Sequence, residues 1–298
     1  MLRRSWYAGW KAPGTNRLVG PRETSLTTIL LGLLAVASLL GVFDQAPSIT
    51  CASAQGQSDP ASQDESSAEP NDRMGRVIPV PLPITGPTST RVKQTVQRIL
   101  SGFKEGQDRL VLILRFNTNR GEEQFAARSE FGACYDLADF LTSEALSKVQ
   151  TVAYVPYRAE GHAVLPIMAC REIILAPDAE WGAAGIAERR ITPPMLSAYR
   201  HVAERNRTIP PAVALGMLDA SRSVLVVETD VERLFVTDDE LETVAKQRTL
   251  RGNPTVFFPA GQLGRLTGRE SRRFDLISAT VSDMREVYAV LGLKANLV

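Results

Sequence analysis

The stretch Val152–Ile186 constrains the fold of this 298-residue chain more than any other segment. Thr151–Val155 is a short β-branched and aromatic run that is typical of a strand. Ala163–Ala169 is apolar on every side, as in a helix that is buried in a core, and Glu172–Leu175 predicts a second strand. Two short strands joined through a helix predict a parallel crossover. The free amide groups of that helix would point into the turn around Gly161.

The residues before this stretch predict the same α/β architecture. Val77–Ile84 carries alternating prolines, which favour the edge of a sheet because proline cannot donate a ladder hydrogen bond. A helix that begins with Thr90 as its N-cap is expected next. Leu110–Phe116, LVLILRF, is the most strand-like run and is expected at the centre of a parallel sheet. A loop then leads to a predicted helix, Gly132–Leu141.

The C-terminal part of the chain completes this predicted domain. Ser223–Glu228 and Arg233–Val236 predict an antiparallel hairpin, after a helix expected over Pro194–Arg207.

The central and closing segments resemble the ClpP-type serine peptidases, and more closely the membrane-associated NfeD and signal-peptide-peptidase-A group. The resemblance covers Arg76–Leu293, and it implies that Leu266–Leu293 forms a short helix, a strand and a last amphipathic helix. It implies the ClpP/crotonase-like superfold, an α/β fold of repeated β-β-α units around a mostly parallel central sheet. It also implies a homo-oligomer, since proteins with this fold usually assemble through peripheral helices.

The same resemblance places the family's catalytic serine at Gly161 and its lysine at Arg190. A serine–lysine dyad needs a hydroxyl that attacks and an amine that can accept its proton. Glycine has no side chain, and a guanidinium keeps its proton under all protein conditions. No lysine lies between Lys148 and Lys246, so a small shift of the alignment would not restore the dyad. The sequence therefore predicts a homologue that does not hydrolyse peptides by the familiar route.

An oxyanion-binding geometry is still compatible with this sequence. The resemblance assigns it to the backbone amides of Gly132 and Ala133, at the start of the helix after the central strand. Phe131 stands where the family has the first glycine of a pair, but backbone amides need no particular side chain. The alternative is that Gly132 simply lets the chain enter a helix.

Three other side chains are candidates for an unrecognised active site: Cys134, His162 and His201. A cysteine–histidine pair would be a chemically competent nucleophile and base. The alternatives are core packing for Cys134, a hydrogen-bonded turn histidine for His162 and a solvated helix face for His201. Cys134 and Cys170 are expected either as two buried thiols or as one disulfide.

The composition of the N-terminal quarter is not typical of a globular domain. A basic segment, 1–23, precedes an uncharged apolar run, 24–43, that is expected to form one hydrophobic helix, either a signal peptide or a membrane anchor. Residues 44–75 are polar and predict a disordered linker, which leaves 76–298 as the folded domain. The basic flank stays inside, so the domain is expected on the outer side of the membrane, in the cell envelope.

The sequence thus predicts an envelope-located, catalytically inactive peptidase homologue that binds peptide or membrane-protein segments or partner subunits. The first alternative is an active serine or cysteine endopeptidase with a non-standard nucleophile. A crotonase-like enzyme acting on acyl-CoA is the second. We expect no cofactor, no metal site and no nucleic-acid partner, because the chain has no phosphate-binding glycine loop, no zinc-ligand spacing and no long basic patch.

Overall fold

A computed structural model describes residues 74–103, 110–118 and 123–293 of the chain. The expected N-terminal helix and linker lie outside these residues. Among the described residues, no helix combines the length and the apolar character needed to cross a bilayer.

The centre of the fold is a five-stranded sheet in which every neighbouring pair of strands is parallel. Its order is β1-β2-β3-β5-β11, so the proline-bearing strand lies at the edge and LVLILRF lies inside, as predicted. The strands are β1 (Met74–Leu82), β2 (Leu110–Thr118), β3 (Gln150–Val155), β5 (Glu172–Leu175) and β11 (Ala279–Thr280).

Two smaller sheets accompany the central one. In the order β10-β6-β4, the β4–β6 pair is parallel and the β6–β10 pair antiparallel. The third sheet, β8-β7-β9, contains the predicted hairpin and one further strand that the sequence did not reveal. These strands are β4 (Arg158–Glu160), β6 (Glu180–Gly182), β7 (Val224–Glu228), β8 (Arg233–Thr237), β9 (Thr255–Phe258) and β10 (Arg265–Thr267).

Helices cover both faces of the central sheet. The eight helices of the described part are α1 (Gly86–Gly102), α2 (Phe131–Leu141), α3 (Val164–Met168), α4 (Pro193–Asn206), α5 (Pro211–Leu218), α6 (Leu241–Gln247), α7 (Gly268–Arg273) and α8 (Met284–Leu291). Short 3-10 helices lie at Glu123–Arg128, Glu144–Leu146 and Gly161–Ala163.

Alternation along β2 shows how the two layers are built. Leu112 and Leu114 pack in the core that includes α1, α2 and α3, whereas Val111 and Ile113 pack against α8 on the opposite face. All four side chains are fully buried. The apolar run Leu110–Leu114 at the start of β2 is therefore explained by a parallel sheet with both faces covered.

One boundary predicted from sequence was wrong. Thr85, not Thr90, is the N-cap of α1, and the helix begins at Gly86. The Thr90 hydroxyl instead donates to the carbonyl of Gly86 within the first turns of the helix. Pro87 near the helix start explains the earlier beginning, because its missing N–H costs nothing there.

Candidate functional site

Gly161 lies where the sequence predicted, at the turn between β4 and the buried helix α3. Its backbone has a φ of 63°, in the left-handed region that favours glycine. A Cβ atom built at this position would lie 2.2 Å from the carbonyl oxygen of Ala127. The position therefore has no space for a serine unless the backbone of a neighbouring segment moves.

That neighbouring segment is the 3-10 helix Glu123–Arg128, which comes from the loop after β2. It packs against both β4 and the turn Gly161–Ala163. Its C-terminal end is tied to the start of α1, because the Ser129 hydroxyl accepts from the Ile84 amide at 2.9 Å and the Glu130 amide donates to the Ile84 carbonyl at 2.9 Å. The space beside the turn is thus filled by protein backbone.

Arg190 is exposed in the turn between β6 and α4. It lines a cavity of about 550 Å³ together with Glu188, Ile191 and Leu218. In the described part of the chain, no hydrogen bond or ion pair joins Arg190 to the turn around Gly161. The two positions of the expected dyad therefore do not form a catalytic pair.

His162 is buried, with 1% of its surface exposed, and both of its ring nitrogens have partners. Nδ1 lies 3.1 Å from the Tyr199 hydroxyl, and Nε2 lies 3.0 Å from Oε1 of Glu188. The edge of the ring also packs against Phe131 at a centroid distance of 5.2 Å. His162 is therefore a hydrogen-bonded turn histidine, as in the simpler of the two interpretations made from sequence.

The protonation state of this cluster follows from its surroundings. Burial lowers the pKa of His162 below its ordinary value, and Glu188 opposes this in part. In the neutral ring, Nε2–H then donates to the Glu188 carboxylate, and the Tyr199 hydroxyl donates to Nδ1. Burial also raises the pKa of Tyr199 well above its usual value, so its hydroxyl keeps the proton that it donates.

Cys134 lies close to this cluster on α2, but it has no hydrogen bond to His162. Its side chain is fully buried. Burial strongly raises the pKa of the thiol, and a hydrogen bond with Ser129 opposes this only in part. A thiol that stays protonated and unexposed is a poor nucleophile. Cys134 and Cys170 are both free, so the disulfide considered from sequence is not formed.

The remaining predicted residues are dispersed. His201 is exposed on α4, outside the cluster of His162, Tyr199 and Glu188. Gly132 is the second residue of α2 and is exposed, with open space where a Cβ would lie, and Ala133 is buried behind it. Their amides belong to the first turn of the helix, where intrahelical partners are absent. The oxyanion role of Gly132 and Ala133 stays a prediction.

Sequence reasoning missed Tyr199 and Glu188. Tyr199 shares the buried face of α4 with Ala198, Val202 and Ala203, and this helical spacing is the only signal that could have indicated it. Glu188 lies in an irregular turn beside two arginines, where nothing in the sequence separates it from solvated charges. Long-range packing brings both to His162.

A groove lined by apolar side chains together with Gln262, Arg265 and Glu270 borders strand β9, one of the two edge strands of the third sheet in the described part. We call it the β9 groove, and it has a volume of about 750 Å³. Val256 and Ile186 line it and are 57% and 44% exposed, respectively. Ile186, Ala220 and Leu263 also line the cavity that contains Arg190, so the two adjoin. Apolar side chains at the lining of the β9 groove also include Phe257, Phe258, Leu263, Leu266 and Phe274.

No protein-family model matches the chain, and no curated protein matches it. Among solved structures, a mutant of the 1510-N membrane-bound stomatin-specific protease is similar, with 13% identity, a TM-score of 0.44, and coverage of 76% of this chain and 91% of that one. A second mutant of that protease, in complex with a substrate peptide, has 13% identity, a TM-score of 0.45, and coverage of 73% and 80%.

An enoyl-CoA hydratase/isomerase from Marinobacter aquaeolei is also similar, with 12% identity, a TM-score of 0.39, and coverage of 73% of this chain and 71% of that one. These similarities concern the fold alone. Their TM-scores are below 0.5, so the ClpP/crotonase superfamily expected from the sequence, and the NfeD group within it, stay predictions. At this level they carry no argument about activity.

Proposed function

We propose that this protein is a ClpP-fold pseudopeptidase of the cell envelope that binds peptide segments or partner subunits without cleaving them. The observation that carries the proposal is the turn at Gly161. The backbone carbonyl of Ala127 occupies the place that any side chain at this position would need. Loss of the hydroxyl is therefore built into the packing and is not a single substitution on an otherwise open site.

The β9 groove is the surface that we assign to peptide binding. An edge strand offers backbone N–H and C=O groups to an added strand, and apolar pockets beside it bind alternate side chains. Val256 and Ile186 are two of the five large apolar side chains that are exposed in the described part. The occupant that fits best is an extended peptide segment with apolar side chains.

The chief alternative is an endopeptidase with a different nucleophile. Cys134 is the strongest such candidate by chemistry, but it is buried and its pKa is raised, and His162 is held by Tyr199 and Glu188. The crotonase-like alternative, an enzyme of acyl-CoA thioesters, shares the superfold and has no further support among the described residues.

Two measurements on the full-length chain test the proposal. A diverse peptide library is incubated with the protein and read by mass spectrometry, and we expect no sequence-specific cleavage. Cleavage that disappears in a Cys134→Ala variant would establish the alternative, an endopeptidase with Cys134 as its nucleophile.

Binding of fluorescent extended peptides is then compared between the natural protein and Val256→Asp. A charge in the apolar groove is expected to weaken binding at least about tenfold.

Val231→Asp is the matched control for the binding experiment. Val231 is 68% exposed, like Val256, but lies in the turn between β7 and β8, away from the groove lining. It should leave peptide affinity unchanged. An equal loss in both variants, or no binding by the natural protein, would count against the β9 groove as the binding surface.

A further inference from the structure

A third cavity lies at the carboxyl ends of the central parallel strands. It has a volume of about 880 Å³ and is lined by Asn117 near the end of β2, Pro156 just after β3, Ala176 just after β5 and Ser282 beyond β11. In open parallel sheets, ligands bind in the crevice outside the carboxyl ends of the strands. This cavity shares no lining residue with the β9 groove.

Arg115 is the unusual residue of this cavity. It lies on β2 opposite Tyr154 of β3, on the face of the sheet that α8 covers. Its Nε atom is buried and has no hydrogen-bond partner among the described residues. Within residues 74–103, 110–118 and 123–293, no carboxylate forms an ion pair with its guanidinium. A buried donor without a partner costs free energy, so a strand position that retains one calls for an explanation.

The other charged groups around Arg115 are already paired. Arg158 bonds Glu180 at 2.6 Å, and Arg269 is paired with Asp178. These four side chains line the same cavity and compensate each other. Among the residues that line the cavity, Arg115 is therefore the cation without an ion pair to another lining residue.

Two further acids face this region from the start of α8. Asp283 caps the helix by accepting from the amides of Arg285 and Glu286 at 2.8 and 3.0 Å, and Oε2 of Glu286 accepts from the Ser282 amide at 2.6 Å. Both carboxylates are thus engaged by backbone amides, and neither is paired with Arg115.

We propose that this cavity binds a small organic anion, whose carboxylate or phosphate group is held by Arg115. A guanidinium presents a planar fork of donors that matches either group. Tyr157, which is 65% exposed at the cavity, offers an aromatic surface to the organic part of the ligand.

Calorimetric titration of the full-length protein tests this at constant ionic strength. The probes are benzoate, phenyl phosphate and inorganic phosphate, with chloride as the reference salt. We expect benzoate or phenyl phosphate to bind, and the stronger of the two identifies the anionic group. Tighter binding of inorganic phosphate than of both organic probes, or no binding of any probe, overturns the proposal.

Variants connect the binding to Arg115. Arg115→Met keeps an unbranched apolar stem and removes the fork, so affinity for the binding probe should fall about tenfold or more. Arg190→Met removes an exposed arginine that lines a different cavity and should leave affinity unchanged. Equal losses in both variants indicate non-specific charge attraction and overturn the proposal. If Arg115→Met does not fold, Arg115→Lys takes its place. Unchanged affinity for the probe in that variant also overturns the proposal.

Discussion

At the scale of single residues, Gly161 and His162 leave the turn after β4 without a free reactive side-chain atom. Gly161 needs a left-handed conformation and lies against the carbonyl of Ala127. His162 lies beside it, but its two nitrogens are bonded to Tyr199 and Glu188 within the protein. Neither residue presents a reactive atom to solvent.

We expect Gly161→Ala to destabilise the protein by about 2 kcal/mol or more, because a positive φ and a backbone clash act together. Gly161→Ser should behave in the same way and should not create activity. The measurement is urea unfolding followed by circular dichroism.

Gly132→Ala is the matched control for this substitution. Gly132 is exposed in a helix with no atom near the new methyl group, so alanine is expected to stabilise by about 0.5–1 kcal/mol. Similar effects at both positions would show that the turn at Gly161 is not tightly packed.

The pH dependence of stability should report His162. Its pKa is lowered in the folded protein, whereas the unfolded chain has the ordinary value of about 6.5. As the pH falls below about 6.5, the unfolded state gains a proton that the folded state does not accept. The free energy of unfolding should therefore decrease in this window. His162→Gln should reduce that decrease.

The second histidine of the chain provides the control. His201 is exposed on α4, and His201→Gln leaves the buried cluster intact. Free energies of unfolding measured at a series of pH values from 7 to 5 should show the same slope in His201→Gln as in the natural protein. If the slope against pH changes in His201→Gln but not in His162→Gln, the pH dependence does not come from His162.

At the scale of elements, close approach between helices and sheets decides which residues are tolerated. Helix α5 is apolar all round and buried from Ala212 to Leu218. Gly216 at its centre faces β7 and β9, where a Cβ would lie 2.4 Å from Cγ2 of Val224 and 2.9 Å from the Phe258 ring. Glycine is unfavourable in a helix, so its presence here reflects the packing distance between helix and sheet.

Gly216→Ala should therefore destabilise by about 1–3 kcal/mol, although alanine is the better helix former. Chemical denaturation measures whether the free energy of unfolding falls or rises in this variant. Gly132→Ala again supplies the comparison, because there the same exchange meets open space. If Gly216→Ala stabilises the protein, α5 and the third sheet can move apart without a loss of stability.

At the scale of the whole molecule, the hydrophobic pattern was sufficient to predict the architecture. The run LVLILRF is apolar on both faces, which indicated a central parallel strand, and the prolines of Val77–Ile84 indicated the edge. The β3–α3–β5 crossover was predicted for the same reason, whereas the closing α7–β11–α8 segment was expected from the family resemblance. Strand β9 and the β10-β6-β4 sheet were missed, because strands of three or four residues hold too few side chains to show a period.

The sequence by itself determined the α/β fold class, because short-range hydrophobic periodicity sets the order of strands and helices. The loss of the serine–lysine dyad rests on the family resemblance, which places its two positions at Gly161 and Arg190, and it stays a prediction. Only the tertiary structure decided that Gly161 has no space for a side chain, that His162 is bonded to Tyr199 and Glu188, and that Arg115 has no partner among the described residues. Each of these depends on atoms brought together from distant parts of the chain. Sequence spacing carries no information about such distances, because they are set by how the layers pack.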